Sequence, residues 1–315
     1  MNEAEPFTYD GGRVDPGETA NVRYTVSETY LGDPVRIPVA IVVGERPGPT
    51  AFLSAASHGD ELNGVEVVRE VAHEWDLSDL RGTLVCLPVL NVPGFIAQFH
   101  TSTRGRTNML HVRADIAEGA VERVAKAFAS NVIIDGDGAP GTLRREASES
   151  GTPTITVEMG EAHRFQRSLI DRALVGVESV LAEFGLVPTE RVRWPGWRTV
   201  IEGSGEKTWL RADDGGLVDI HRERGEVVHE GETICTIANP FKTETADVHA
   251  PFTGLLVGVL ENPVVYPGNP VCHLVKLDDR TLEAIERNGG TGALAERADS
   301  HDDVTAVEWR GLAAE

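Results

Sequence analysis

The sequence predicts an α/β fold in which helices flank a mixed, mostly parallel sheet, followed by a smaller all-β domain. Through about residue 188, near-continuously apolar runs alternate with segments of helical periodicity. Apolar runs without polar alternation are typical of strands that are covered on both faces. After about residue 191, short β runs separated by Gly and Pro replace the helical pattern, which indicates a second, all-β unit.

Strands and helices of the first domain alternate along the chain. The predicted strands are residues 38–44, 50–56, 83–90, 132–135 and 154–158. The predicted helices are residues 62–75, 117–129 and 167–184. A chain of 315 residues has room for one large domain and one small domain. We therefore predict an α/β domain over residues 1–188, a β-rich domain over 189–278, and an acidic tail over 279–315 that begins with a short helix over 279–287.

The β-rich domain contains two similar halves. Residues 215–232 carry Gly-bounded β runs that residues 249–256 echo. Two such halves resemble the barrel-sandwich hybrid of biotinyl and lipoyl carriers, in which the modified Lys lies on the hairpin between the halves. Lys242 occupies that place, but the Met-Lys-Met or Asp-Lys-Ala setting of a modified Lys is absent from the sequence. We therefore interpret Lys242 as a solvated turn residue.

The chain is strongly acidic. Its formal net charge is −21, from 50 Asp and Glu against 29 Lys and Arg, and only four of the basic residues are Lys. This balance argues against nucleic-acid and anionic-membrane partners, because both would be repelled. Acidic, Lys-poor surfaces suit a salt-rich cytoplasm, where screening reduces self-repulsion. A halophilic source is therefore a hypothesis, and unfolding at low salt would support it.

The sequence favours a cytoplasmic protein. Its first residues are acidic, and no apolar run approaches the roughly 18 residues of a membrane span. Cys86, Cys235 and Cys272 lie far apart in apolar contexts, without Cys-x-x-Cys spacing. This pattern is typical of buried thiols in a reducing compartment. A homo-oligomer is compatible with the sequence.

The segment Ser57-His58-Gly59-Asp60-Glu61 joins a predicted strand to a predicted helix. His58 and Glu61 are three residues apart at this strand-to-helix turn, so both side chains can reach one metal ion. The alternative is a surface His beside an acidic helix N-terminus, where Asp60 and Glu61 would favour the helix dipole.

Four later segments support the metal-site interpretation of His58 and Glu61. They are residues 85–95, 103–104, 131–135 and 154–160. In order and rough spacing, these segments resemble the succinylglutamate desuccinylase/aspartoacylase family of zinc carboxypeptidase-like hydrolases, over about residues 35–277. The resemblance implies a zinc carboxypeptidase-like α/β domain, a β-rich domain that serves as a lid, and a deacylase of small N-acyl compounds.

The resemblance also implies a zinc ion held by His58, Glu61 and a His that follows a second strand. In this sequence the third position is Asp137. A carboxylate can bind zinc at nearly the same distance as an imidazole, but it weakens the Lewis acidity of the ion and favours other divalent metals such as manganese or magnesium. Asp137 is either this ligand or a polar turn residue. The rival third ligands are His100, His111 and His163.

Glu158 ends an apolar run and precedes Met159 and Gly160, which matches the general-base segment of the family. A carboxylate at this position can take the proton of the attacking water and pass it to the leaving amine. The resemblance therefore implies that Glu158 is the catalytic base.

The substrate clamp of the family is altered in this sequence. Arg104 matches the family's Arg that polarises the scissile carbonyl. The Asp-Leu-Asn-Arg run, whose Asn-Arg pair binds the substrate carboxylate in the family, is replaced by residues 109–112. Tyr266 lies in a loop that resembles the one that brings a Tyr to the substrate, and the alternative is that it packs within its domain. The residues that could replace the missing clamp are Arg106, Asn108 and Arg113.

Two function classes remain open. The first is a zinc-dependent hydrolase of amide bonds in small N-acyl amino-acid-like substrates, with ester bonds as a further candidate. The second is a non-catalytic descendant that binds a metabolite or a partner, because both a zinc ligand and the clamp have changed. The metal content of protein purified without added metal would separate the two classes.

Overall fold

The computed structural model describes residues 4–101, 106–188, 199–201, 207–240 and 245–287. In chain order, the strands are β1 (Phe7–Tyr9), β2 (Gly12–Val14), β3 (Thr19–Glu28), β4 (Pro34–Val43), β5 (Arg46–Ser54), β6 (Arg81–Leu87), β7 (Arg106–Ala114), β8 (Val132–Asp135), β9 (Thr156–Glu161), β10 (Thr199–Ile201), β11 (Lys207–Arg211), β12 (Gly216–Ile220), β13 (Val227–Val228), β14 (Thr233–Ala238), β15 (Thr245–His249), β16 (Gly254–Leu260), β17 (Val264–Val265) and β18 (Pro270–Lys276). The helices are α1 (Leu62–His73), α2 (Val92–Thr101), α3 (Gly119–Ala127), α4 (Leu143–Glu149), α5 (Arg167–Glu183) and α6 (Asp279–Arg287).

The described residues divide into two compact units, of which the first comprises residues 4–101 and 162–188. This unit contains a four-stranded sheet in the order β3-β4-β6-β5, and the separate hairpin β1–β2. β3, β4 and β6 pair antiparallel, and β6 pairs parallel with β5. α1 contacts β5 and β6 and packs against α5. Val67, Val68 and Val71 recur at helical spacing on α1 and are buried, which explains this packing.

The second unit comprises the other described residues, and β7 organises its larger sheet. The eight strands follow the path β10-β8-β7-β16-β18-β11, with β9 also on β7 and β13 on β16. β7 pairs antiparallel with β16 near its start, parallel with β8 near its end, and antiparallel with β9 along most of its length. It thereby joins segments that are far apart in the sequence. A separate four-stranded sheet has the order β15-β14-β12-β17.

Two clusters of buried apolar side chains fill the second unit. Leu255 belongs to one cluster, together with Met109 and Val132, and Leu256 belongs to the other, together with Ile234. Successive side chains on a strand point to opposite faces, so neighbouring residues of β16 reach different clusters. Both faces of β16 are therefore covered, in agreement with its fully buried sequence.

The mixed α/β class is confirmed, and each predicted strand and helix overlaps an observed element. The predicted helix over residues 279–287 coincides with α6. The prediction of a mostly parallel sheet is wrong. Among the described strands, only the pairs β5–β6, β7–β8 and β8–β10 are parallel. A buried apolar run does not reveal the direction of its strand, so the sequence pattern could not identify β9 as antiparallel to β7.

The barrel-sandwich interpretation of the β-rich domain is not confirmed, because the ladders between the described strands do not close into a barrel. Lys242 lies outside the described residues. Residues 189–198 and 288–315 also lie outside them, and the domain boundaries at residues 188 and 278 stay a prediction. No helix in the described part of the chain has both the length and the apolar character needed to cross a lipid bilayer.

Candidate functional site

The segment of residues 57–61 forms a tight turn between β5 and α1. The Glu61 N–H donates to the His58 carbonyl oxygen at 3.3 Å, and α1 begins at Leu62. The Glu61 side chain makes no N-cap hydrogen bond to the helix, and His58 is exposed. The turn therefore presents an imidazole and a carboxylate at the carboxyl end of a strand, and both are donor types that zinc accepts.

Asn91 supports this turn from the segment between β6 and α2. Its side-chain amide donates to the Ser57 carbonyl oxygen at 3.1 Å, and its N–H donates to the Ala56 carbonyl oxygen at 3.0 Å. Gly59 approaches Gly94 so closely that a Cβ on Gly59 would lie 2.1 Å from the Gly94 carbonyl carbon. The shape of the turn therefore requires glycine at position 59.

His163 adjoins the same turn within the first unit. Its N–H donates to the Asp60 carbonyl oxygen at 2.9 Å. Of the other rival third ligands, His111 lies in the second unit, and the His100 side chain is outside the described residues. Within the part of the chain that the structure describes, no group of three or more His, Cys, Asp or Glu side chains is arranged to hold a metal ion.

Asp137 follows β8 in the second unit, between two glycines with positive φ. Its carboxylate forms an ion pair with Arg145 at 3.0 Å, and its side chain is 65% exposed. Arg145 also donates to the Gly138 carbonyl oxygen at 3.2 Å, which holds the guanidinium over this turn. A metal ion would therefore compete with Arg145 for the Asp137 carboxylate.

Glu158 lies on β9, opposite His111 of β7. Its Oε2 accepts a hydrogen bond from the Asn108 side-chain amide at 3.4 Å, and its Oε1 lies 3.5 Å from Arg113 Nε. The Glu158 side chain is 24% exposed. A partly buried carboxylate with one donor at each oxygen has a defined orientation and still reaches solvent. This geometry suits a group that exchanges a proton with water.

Arg113 contacts two imidazoles in addition to Glu158. Its Nε donates to His111 Nε2 at 3.4 Å, and its Nη2 donates to His273 Nδ1 at 3.4 Å. His273 stacks on the Trp209 ring with a centroid distance of 4.5 Å and an interplanar angle of 9°. The guanidinium is therefore fixed from β7, β9 and β18 at once.

His111 is fully buried and uncharged at neutral pH. Burial, and secondarily the charge of Arg113, lowers the pKa of His111 to about 4. Its Nδ1 lies 2.9 Å from the Met109 carbonyl oxygen, which can only accept, so Nδ1 carries the proton. The lone pair of Nε2 is then available to Arg113.

Two further cations lie at the end of β8. Lys207 Nζ donates to the Asp135 carbonyl oxygen at 2.7 Å, and Arg144 Nη1 donates to the Gly136 carbonyl oxygen at 2.6 Å. Burial, and then the charge of Arg113, lowers the pKa of Lys207 and of Arg144. Arg113, Arg144 and Lys207 therefore lie close to one another in the second unit, and nearby aspartates provide the opposite charge.

The remaining predicted residues are placed as follows. Arg104 lies outside the described residues, and nothing is described of the Arg106 side chain. Tyr266 lies in the turn between β17 and β18, where its N–H donates to Asn269 Oδ1 at 3.1 Å and the residue is 71% exposed. Asn108 already donates to Glu158. The substrate-binding roles of these residues stay predictions.

Sequence reasoning missed the environment of Arg113. His273 and Trp209 lie opposite each other in the β11–β18 ladder, and Arg113 is separated from His273 by 160 residues. The sequence offered one signal, which is the alternation of Met109, His111 and Arg113 along a strand. Side chains two residues apart on a strand share a face, so a polar pair on an apolar strand indicates a buried polar contact.

The sequence matches a family model described as the succinylglutamate desuccinylase/aspartoacylase catalytic domain over residues 47–99 and 98–184. A curated relative, the N-alpha-acetyl-L-2,4-diaminobutyric acid deacetylase of Halomonas elongata, is 31% identical over 109 residues. The matched segment spans 32% of this chain and 31% of that relative, so the chain matches about a third of the relative's length.

Two solved structures share the fold. A succinylglutamate desuccinylase from Silicibacter sp. has a TM-score of 0.71 at 18% identity, over 88% of this chain and 99% of that chain. The apo structure of the ectoine utilization protein EutE (DoeB) from Ruegeria pomeroyi has a TM-score of 0.73 at 18% identity, over 88% of this chain and 100% of that chain. At this identity, the likeness establishes the fold.

Proposed function

We propose that the chain is a member of the succinylglutamate desuccinylase/aspartoacylase family and hydrolyses the amide bond of small N-acyl amino-acid-like substrates, with ester bonds as a further candidate. The relative from Halomonas elongata is named a deacetylase, which supports this substrate class. The observation that carries the proposal is the orientation of the Glu158 carboxylate between Asn108 and Arg113.

In this proposal Glu158 is the general base and then the general acid. One carboxylate oxygen is held by Asn108 and the other lies beside Arg113, so the group is oriented before substrate arrives. It takes a proton as water attacks the acyl carbon, and it delivers a proton to the leaving amine. Arg104 stabilises the developing oxyanion, and Arg106, Asn108 and Tyr266 bind the substrate.

The proposed cofactor is one zinc ion, with another divalent metal as the alternative. His58 and Glu61 supply an imidazole and a carboxylate from one turn, and Asp137 is the proposed third donor. When bound, zinc polarises a carbonyl and makes water more acidic. Asp137 would exchange its ion pair with Arg145 for the metal.

The ion pair between Asp137 and Arg145 also favours the second candidate function. If Arg145 retains the carboxylate, the chain is a metabolite- or partner-binding descendant without the metal site of the family. The missing Asn-Arg clamp supports the same alternative. Small acylated compounds are the proposed ligands in both cases, with neither nucleic acid nor membrane as a partner.

The deciding experiment combines zinc analysis with a screen of N-acyl amino acids. We expect Glu158→Gln to lower kcat on the order of 100-fold or more, because it removes the proton acceptor. Its zinc content should be unchanged, because Glu158 is not a proposed ligand. Glu118→Gln, at an exposed carboxylate that makes no side-chain cap hydrogen bond at α3, is the matched control and should keep full activity. Absence of both zinc and hydrolysis in the unmodified protein would leave the binding-only candidate.

A further inference from the structure

We infer that His111 is a positioning residue, which acts by holding the Arg113 guanidinium against the Glu158 carboxylate. The inference rests on the proposed function for its consequence in catalysis. Its geometric part concerns three side chains of the second unit and does not depend on metal or substrate.

The first step is the proton arrangement of His111. The Met109 carbonyl oxygen accepts from Nδ1 at 2.9 Å, which leaves Nε2 as an acceptor. His111 is fully buried, and burial together with Arg113 keeps its pKa near 4. At neutral pH the ring therefore presents a lone pair, not a second positive charge, to Arg113.

The second step is the attachment of Arg113 to both rings. Its Nε lies 3.4 Å from His111 Nε2 and 3.5 Å from Glu158 Oε1, so one N–H is shared between an imidazole and a carboxylate. Its Nη2 donates to His273 Nδ1 at 3.4 Å. His273 is 4% exposed. Two buried imidazoles that face the guanidinium therefore restrict it to the orientation that meets Glu158.

The third step is the other side of Glu158. Asn108 and His273 both lie opposite Gly258 in the sheet. A Cβ at position 258 would lie 2.5 Å from Asn108 Oδ1, so glycine leaves the space that the Asn108 side chain occupies. Asn108 then donates to Glu158 Oε2 at 3.4 Å. His111, acting through Arg113, thus orients Glu158 Oε1. Gly258, acting through Asn108, orients Glu158 Oε2.

The charges around this arrangement come from several elements. Arg113 and His111 lie on β7, Glu158 on β9 and His273 on β18. Lys207 of β11 and Arg144 of α4 are near enough to Arg113 for its charge to lower their pKa values. Repulsion by these cations would push a mobile guanidinium away. The two imidazoles oppose that displacement through their contacts with the guanidinium.

The first arm of the test uses nuclear magnetic resonance and needs no activity. In long-range proton–nitrogen spectra of the labelled, full-length protein, we expect His111 to carry its proton on Nδ1 and to titrate near pH 4. Arg113→Met should raise that midpoint, because it removes a cation that lowers the pKa of His111. Arg280→Met, at an exposed residue of α6, should leave it unchanged. A proton on Nε2, or an unchanged midpoint in Arg113→Met, would overturn the inference.

The second arm compares two substitutions of His111. His111→Leu removes the acceptor, whereas His111→Gln can still accept from Arg113 through its amide oxygen. We expect a slowly exchanging Arg113 Nε–H signal in the unmodified protein and in His111→Gln, and its loss in folded His111→Leu. With an active substrate, kcat should fall at least about 10-fold in His111→Leu, with KM and zinc content nearly unchanged, and recover in His111→Gln.

The outcomes separate the inference from the proposed function. Equal kcat in the two variants, or an effect on KM alone, would reject the positioning role in catalysis. If the unmodified protein hydrolyses nothing, the proposed function fails, and the magnetic resonance signals alone accept or reject the contact of His111 with Arg113. Should His111→Leu fail to fold, two signals decide: the shift of the His111 titration midpoint in Arg113→Met, and the persistence of the Arg113 Nε–H signal in His111→Gln.

Discussion

Individual side chains in the candidate site are committed to partners before any ligand binds. Asp137 is paired with Arg145, and Glu158 is held by Asn108 and Arg113. These two commitments have opposite consequences. An oriented carboxylate is better prepared for proton transfer, whereas an ion-paired carboxylate must lose a partner before it binds metal.

The third metal donor gives a prediction at this scale. We expect Asp137→Ala to lower the zinc content of dialysed protein, because two protein ligands hold zinc poorly. Asp137→His should keep or raise it by restoring an imidazole. Zinc is measured by elemental analysis after dialysis without metal. Arg145→Met serves as the comparison, since it removes the competitor and leaves Asp137, so its zinc content should hold or rise.

Unchanged zinc in Asp137→Ala would contradict Asp137 as a ligand. His163 is then the next residue to replace, because its backbone is bonded to the turn that carries His58 and Glu61. Loss of zinc in His163→Ala alone would assign the third donor to His163.

At the scale of secondary-structure elements, the β5–α1 connection is determined by close backbone packing. Asn91 bonds to both Ala56 and Ser57, and Gly59 lies against Gly94. The positions of the His58 and Glu61 side chains therefore depend on close backbone packing that involves no functional group.

Gly59→Ala tests this dependence. The added Cβ would meet backbone atoms at 2.1 Å, and backbone cannot yield as a flexible side chain can. We expect a loss of about 1–3 kcal/mol in the free energy of unfolding, from urea titration, and a loss of zinc. Gly119→Ala is the control, because nothing lies within 4 Å of its added Cβ and the residue begins α3. It should be neutral or stabilise by up to about 1 kcal/mol. Equal stability of the two variants would refute the steric explanation.

At the scale of the whole molecule, charge is the dominant feature. A formal net charge of −21 produces self-repulsion in the folded state that salt can screen. The Debye length falls from about 30 Å at 0.01 M salt to about 3 Å at 1 M.

We therefore expect the melting temperature to rise as sodium chloride increases from about 0.01 M to about 1 M. Differential scanning calorimetry measures the change, and glycerol at matched osmolality controls for general solvent effects. A melting temperature that does not change with salt would remove the support for a salt-adapted surface.

The sequence predicts those parts of the molecule that depend on local patterns. β8 and α6 coincide with their predicted ranges, and the His58–Glu61 turn follows from an apolar run meeting an amphipathic one. β3 is mostly exposed, so no apolar run marks it in the sequence. The antiparallel placement of β9 depends on pairing with the distant strand β7, which periodicity does not encode. The sequence identifies His111 as a candidate ligand. It does not reveal the contact of His111 with Arg113 beside His273, because that contact also depends on long-range pairing.

The discontinuity of the first unit affects how the chain is synthesised. β3 to β6 and α1 leave the ribosome early, but α5, which packs on α1, follows only after β7, β8 and β9. β7 in turn lacks its partner β16, which pairs with β18, until much later in synthesis. Nascent chains of intermediate length therefore expose the apolar face of α1 and the unpaired side of β7. Such surfaces are the ones that chaperones bind, so production of this protein should depend on chaperone supply more than its size suggests.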